Sequence, residues 1–340
     1  MEKFLKSRYR IGEKIGENPF SVTYKGYLMG TEVPVVVKIY KRSALNSPLI
    51  NKLRPKVTKI ISLDHPNIAR VIDGDYGWQG FYFVREFIDG ENIEELLSRG
   101  NLPVDASIEM IKEVLSSLAM AHENNIIHGA ISTRNIFLAN GREIKVTDFI
   151  LEPAVRINPT LLAAAATDDS RFMSPEQLMG EDVTFASDVY SAGVVFYKML
   201  TGELPYNGKG GLDTALKHMV GTLVPPSYKN PKVPDYLDEI VVKMLEKDPL
   251  QRINSAREAL ESIAKQRLIF HLPSRDIVNL IYDEEIEPIM YDEQTHKNKS
   301  NVKPKSRRRA GKKAVLFLLV LIAIAAGLWY AFVLNFISVR

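Results

Sequence analysis

The chain contains no cysteine. That absence removes disulfide staples, thiolate metal sites and a cysteine nucleophile, so any chemistry here rests on oxygen and nitrogen groups. It leaves the redox compartment open, because a cysteine-free chain tolerates either poise. Acidic residues are missing from Lys297 to Lys313, which carries nine cations. With that segment and Arg340 set aside, acidic residues outnumber basic ones, 41 against 34, although the whole chain has a net charge of +3. The positive charge sits in one short segment rather than on a folded face, and no nucleic-acid partner is expected. The N-terminus, MEKFLKSRYR, lacks the apolar stretch of a signal peptide. No internal repeat is found. Of the 340 residues 46% are hydrophobic and 25% charged, which suits one large domain or two lobes and excludes a disordered chain or a mini-protein.

One long apolar run is present. Ala314 to Ile337 is free of charge, long enough as a helix to cross a hydrocarbon core of about 30 Å with some tilt. Trp329 and Tyr330 lie toward its distal end, where aromatic rings favour an interface, and the basic cluster precedes it. The positive-inside bias then places everything before the span in the cytoplasm, as a single-pass protein of the cell membrane with the bilayer as a partner. Residues 269–313 read as a juxtamembrane linker, acidic over Asp283 to Glu293 and basic afterwards, too polar to bury a core. Its cations serve either as a topology signal alone or also as a hold on anionic lipid.

Residues before about 90 read mostly as strands with one helix. Tyr9 to Ile15, Ser21 to Met29, Val33 to Tyr40 and Trp78 to Phe87 are rich in β-branched and aromatic residues. From Asn92 the apolar spacing becomes three and four, over Ala106 to Asn124, Ala186 to Thr201, Tyr236 to Leu245 and Ala256 to Lys265. Segregated strands and helices indicate an α+β chain with two lobes, a small β-rich N-lobe over 9–88 and a larger helical C-lobe over 89–268.

The order of motifs is informative: Gly16 to Gly26 (GENPFSVTYKG), Val35 to Lys38 (VVVK), His65 to Ile68 (HPNI), His128 to Leu138 (HGAISTRNIFL), Asp148 to Ile150 (DFI), Ser174 to Glu176 (SPE), Asp188 to Gly193 (DVYSAG) and Lys247 to Arg252 (KDPLQR). In sequence and spacing they resemble the protein kinase superfamily, bacterial Ser/Thr kinases in particular, over about residues 9 to 265. The resemblance implies a bilobal kinase-like fold. It also implies a nucleotide slot in which Gly16, Lys38, Glu86, Ile88, Asn135 and Asp148 would touch ATP, with Asn135 and Asp148 as ligands of Mg²⁺.

The same resemblance exposes departures. Asn18 and Ser21 replace two loop glycines, and Pro19 lacks an amide donor. Lys38 expects a glutamate partner nine residues before His65, and Lys56 stands there. Ala130 occupies the place of the carboxylate that takes the substrate proton, so no catalytic residue is assigned. Ser132 stands for a lysine, Asp169 for a threonine, Ile150 for the glycine after Asp-Phe, and Gly129 removes the arginine that receives an activation-loop phosphate. Val36 narrows the adenine roof, Phe137 the floor, and Arg85 puts a charge at the back of the slot. ATP and Mg²⁺ are therefore expected to bind weakly at most. By contrast Glu176, Arg252 and Asp188 match the family's structural pins.

The reading that follows is a membrane-anchored pseudokinase acting as a signalling scaffold or regulator, through a cytoplasmic or membrane protein that the sequence does not name. Two alternatives stay open: an active Ser/Thr kinase or other ATP-dependent transferase with a non-standard site, and a structural adaptor that binds no nucleotide. Truncation after Glu293 is expected to move the protein from the membrane pellet to the soluble fraction. A truncated chain that still pellets, or a domain digested by external protease in intact cells, contradicts this topology.

Overall fold

The computed structural model of the chain describes residues 3–18, 21–42, 55–77, 80–149, 171–209 and 211–269. All lie in the first of the two units into which the chain divides, Met1–Asp283. The expected linker beyond residue 269 and the apolar span over 314–337 fall outside the described residues. Among the described residues no helix is long and apolar enough to cross a membrane.

Six strands form one antiparallel sheet in the order β1-β2-β3-β4-β6-β5: β1 Lys3–Leu5, β2 Tyr9–Glu17, β3 Ser21–Leu28, β4 Pro34–Tyr40, β5 Val71–Gly77 and β6 Gly80–Glu86. Strand β4, PVVVKIY, is nearly continuous in β-branched and apolar residues because both of its faces are covered. On one face Val35 and Val37 pack with Leu5, Tyr9, Tyr82 and Val84. On the other, Phe81 and Phe83 join Val57 and Ile60 from helix α1, residues 55–61. The register sets Val36 opposite Arg85 and Lys38 opposite Phe83. With a side-chain period of two, these four residues share the second face.

The remaining described residues are mostly helical. Their helices are α2 Ile93–Arg99, α3 Val104–Glu123, α4 Pro175–Leu178, α5 Phe185–Thr201, α6 Gly211–Val220, α7 Pro226–Lys229, α8 Asp235–Met244 and α9 Ala256–Ile269. Helix α5 is buried on nearly every side, from Ala186 to Leu200, and forms the axis of this half. It stops at Gly202, whose φ of +75° places it in the left-handed region. A Cβ there would also meet the Asn101 side chain at 2.4 Å. A second sheet, β7 Gly90–Asn92 before α2 and β8 Ile136–Ala139 and β9 Glu143–Val146 after α3, carries the loops of the site. Backbone bonds from Ala69 N–H to the Val146 carbonyl and from Val146 N–H to the Asn67 carbonyl join it to the segment before β5.

The four strands expected from β-branched runs are present with ends moved by a residue or two; β6 begins at Gly80, and Trp78 lies outside the described residues. Strand β1 was not expected, because three residues are too few to show alternation. Leu5, fully buried, anchors it.

The buried pins behave as their charges require. Arg252 grips Glu176 through two bonds of 2.7 and 3.1 Å and also donates to the carbonyls of Ala186 and Glu246. Burial would raise the Glu176 carboxyl, but Arg252 outweighs it and holds the group below the usual carboxylate range. Such a pair is costly to break, at about 3–5 kcal/mol when one partner is removed.

His218 on α6 is sealed in the core with Nδ1 2.9 Å from the Tyr190 hydroxyl. Burial pushes its pKa down to about 3, helped by the nearby Lys247 charge. Below its unfolded value of 6.5 the unfolded chain takes up a proton that the fold refuses, so stability falls as pH drops. The loss from this site alone reaches about 2 kcal/mol at pH 5. The melting temperature is expected to decline from pH 7 to 5 and the decline to shrink in His218→Gln. Parallel pH profiles for the two proteins would contradict this account.

Candidate functional site

The site is built from four backbone segments: β4, the end of β6, the loop between α3 and β8, and the residues after β9. The loop is the most tightly specified. Asp188, at the start of α5, accepts from Gly129 N–H at 2.7 Å through Oδ1 and from His128 N–H at 2.8 Å through Oδ2. Its Oδ2 also lies 2.9 Å from His122 Nε2. The Gly129 carbonyl in turn accepts from Gln177 at 2.8 Å, and Gly129 has a φ of +72°, a conformation that glycine adopts without strain.

His128 is fully buried and uses both ring nitrogens. Nε2 lies 2.8 Å from the Thr147 carbonyl, which only accepts, so Nε2 carries the hydrogen. Nδ1 then accepts from Ala130 N–H at 3.1 Å. Burial pushes its pKa down against the pull of Asp188, and the ring is neutral. Ala130 thus contributes only backbone, and its carbonyl accepts from Asn135 Nδ2 at 2.8 Å. The hydroxyl of Ser132 is buried without a partner.

Lys38 reaches across to the segment after β9 and meets Asp148 at 2.6 Å. Both side chains are largely buried. Asp148 adopts a left-handed φ of 71°. Burial alone would raise its carboxyl, but Lys38 and then Arg85 outweigh it and hold the group below the usual range. Lys56, in the place of the expected glutamate, lies half-buried on α1; Lys38 takes its carboxylate from Asp148.

Of the residues assigned from sequence, Lys38 and Asp148 are brought into direct contact. Asn135 joins them through its carbonyl, which accepts from Thr147 N–H at 2.8 Å, next to Asp148. Glu86 has its backbone already committed: its N–H donates to the Arg70 carbonyl at 2.9 Å, and its carbonyl accepts from Arg85 Nη1 at 2.9 Å. Its side chain lies 3.5 Å from Lys145. Ile88 packs with Ala69, Ala139 and Phe137. Gly16 sits on β2, away from this cluster, where an added Cβ would meet only ordinary contact with Thr23. Ile150, Pro19 and Asp169 lie outside the described residues.

The donor set can be tested against Mg²⁺. Among the described residues no group of three or more His, Asp or Glu side chains surrounds a metal position. Asn135 and Asp148 are hard oxygen donors, suited to an ion that arrives with phosphates and keeps its waters. These two would hold it, with Lys38 yielding its contact.

Sequence reasoning missed one brace. Thr133 donates to Glu94 at 2.5 Å, and Lys198 on α5 binds the same carboxylate at 2.6 Å. Glu94 lies on α2, and nothing in its local pattern signals a partner on α5.

Comparison with known proteins agrees with this architecture. Residues 9–263 match the protein kinase domain model. The chain belongs to the protein kinase family. It is 28% identical over 342 residues to the serine/threonine-protein kinase PrkC of Bacillus subtilis, covering 96% of this chain and 53% of that protein. It is 30% identical over 262 residues to PknB of Mycobacterium tuberculosis, covering 75% and 42%. The chain thus spans between 42 and 53% of the length of these curated relatives. The crystal structure of the PknI kinase domain of Mycobacterium tuberculosis superposes with a TM-score of 0.61 at 19% identity, covering 76% of this chain and 96% of that one; this likeness concerns the fold alone.

The kinase-family chain therefore carries two buried cations, Lys38 and Arg85, around one carboxylate. Replacing Asp148 by Asn strands both, and is expected to cost about 3–5 kcal/mol, whereas Lys38→Met leaves Arg85 beside Asp148 and costs less. Urea midpoints of the two variants decide this. Equal losses would mean that Arg85 contributes nothing to the balance.

Proposed function

We propose that this kinase-family protein works by binding rather than by phosphoryl transfer. In this reading it is a membrane-anchored pseudokinase, a scaffold or regulator that takes nucleotide weakly at most. The observation that carries it is the commitment of the acid–base groups described near the loop. The segment HGAISTRN holds no carboxylate. Asp188 spends both oxygens on N–H groups. Both nitrogens of His128 are engaged, and Asp148 is held ionised by Lys38. Among the described residues around the loop, none of these groups is left free to take a proton from a hydroxyl, a function typically worth about 10²–10⁴-fold.

A second reading, an active Ser/Thr kinase, is favoured by the names of the relatives and by the joint survival of Lys38, Asn135 and Asp148. Phosphoryl transfer depends more on positioning and charge than on a base. On that account the reaction is slowed rather than lost.

The membrane tether is part of the proposal and rests on the apolar run of residues 314–337 and its basic flank. The partners follow from it: the bilayer, and a protein of the cytoplasm or the membrane.

Incubation of the full chain with labelled ATP and Mg²⁺ is expected to label neither the protein nor a generic substrate. Label that is transferred by the wild type and lost in Asp148→Ala would establish the second reading.

A further inference from the structure

The back of the slot presents a donor with no acceptor. Arg85 lies opposite Val36 across the register of β4 and β6, on the same face as Lys38. Its side chain is buried, with the guanidinium carbon 5.8 Å from the centre of the Phe137 ring. A guanidinium has five N–H donors and no acceptor. Nη1 donates to the Glu86 carbonyl at 2.9 Å. Among the described residues the group makes no other hydrogen bond, and Nε is sealed from solvent without a partner. Leaving a buried charged donor unpaired is costly, so a partner that brings acceptors is favoured.

The walls and the charge narrow the class of ligand. Val36, buried on β4, and Phe137, partly exposed on β8, put apolar side chains beside Arg85. Lys38 and Arg85 set against Asp148 leave an excess of positive charge for an anionic tail. The edge of adenine pairs an acceptor, N7, with a donor, its exocyclic amine. Guanine presents two acceptors there, O6 and N7, which a guanidinium fork matches. An adenine amine would meet another donor, and the Glu86 carbonyl already accepts from Arg85.

We infer that the slot takes a 6-oxopurine nucleotide in preference to an adenine nucleotide, with Arg85 reading the base. The inference rests on the reading of this slot as a nucleotide site. It adds a specificity that the family resemblance does not supply.

The full chain in detergent micelles is titrated calorimetrically with GTP, ITP, ATP and inorganic triphosphate, with Mg²⁺ and with EDTA. GTP and ITP are expected to bind about tenfold or more tightly than ATP. Glutamine suits the N6 and N7 edge of adenine, so Arg85→Gln is expected to shift the order toward ATP. Arg85→Lys keeps the charge without the fork and is expected to lose the preference while still binding triphosphate, which serves if the glutamine variant does not fold. Equal binding of GTP and ATP overturns the inference, as does a preference for GTP that survives in either variant or triphosphate binding as tight as GTP. ATP binding without GTP binding sinks the base selection but leaves the nucleotide site standing. No binding of any nucleotide removes the site itself.

Discussion

The contact between Lys38 and Asp148 at 2.6 Å ties strand β4 to the segment behind β9, and the character of the slot depends on it. A lysine buried in a sheet face needs a nearby negative charge, since the cost of desolvating an ammonium is several kcal/mol. The usual source on α1 is absent, with Lys56 in its place, so the carboxylate comes from the opposite side of the slot. That choice has a backbone cost: Asp148 is held at a φ of 71°, a region that disfavours non-glycine residues by about 1–2 kcal/mol. The ion pair offsets the strain. It also spends the carboxylate that a metal would require, leaving Arg85 as the second cation of a pair with one anion between them.

The loop keeps its shape without its carboxylate for a reason visible in its bonds. Its path is fixed by the N–H groups of His128 and Gly129 on Asp188, by the carbonyl of Gly129 on Gln177, and by the carbonyl of Ala130 on Asn135. None of these uses the side chain at position 130, so alanine there removes a chemical group without loosening the scaffold. The Glu94 brace and the Arg252 pair act at greater distance in the same way. Structure and reactivity are separately encoded in this segment, which is why the loop stays well formed with alanine at position 130.

How much of this was legible in the sequence follows the range of the interactions. Strands β2, β3, β4 and β6 and helices α3, α5 and α8 carry their own periodicity and were readable within a residue or two, while α9 runs four residues past its expected end, to Ile269. The pins at Glu176, Arg252 and Asp188 were readable because the motif order fixes their partners. Strands β7, β8 and β9, of three or four residues each, are too short for a pattern and form only because Gly90 to Asn92 pairs with β8 and β8 with β9. The partner of Lys38 was not readable either. The spacing identified the missing glutamate, but which carboxylate replaced it depends on two segments 110 residues apart. For Arg85 the motif position pointed to a charge at the back of the slot; its bond to the Glu86 carbonyl depends on rotamer and packing, which no spacing records.

The hairpin between β2 and β3 shows where binding energy for a phosphate must come from. Asn18 N–H donates to the Ser21 carbonyl at 2.9 Å, and Ser21 N–H donates back to Asn18 Oδ1 at 2.7 Å. The Ser21 hydroxyl joins the same oxygen at 3.1 Å. Pro19 between them has no amide hydrogen. The donors at both ends of the turn are satisfied within the turn, by a side chain that closes it as an asparagine commonly does. A hairpin of this kind has little left to offer an anion through its backbone. Under the proposed nucleotide reading the grip on a phosphate then falls to Lys38, a charged side chain on the rigid face of the sheet, rather than to amides on a mobile loop. Recognition by fixed cations tolerates the loss of glycines, and it makes the electrostatics of the sheet face, not the flexibility of the hairpin, the property that decides what the slot can hold.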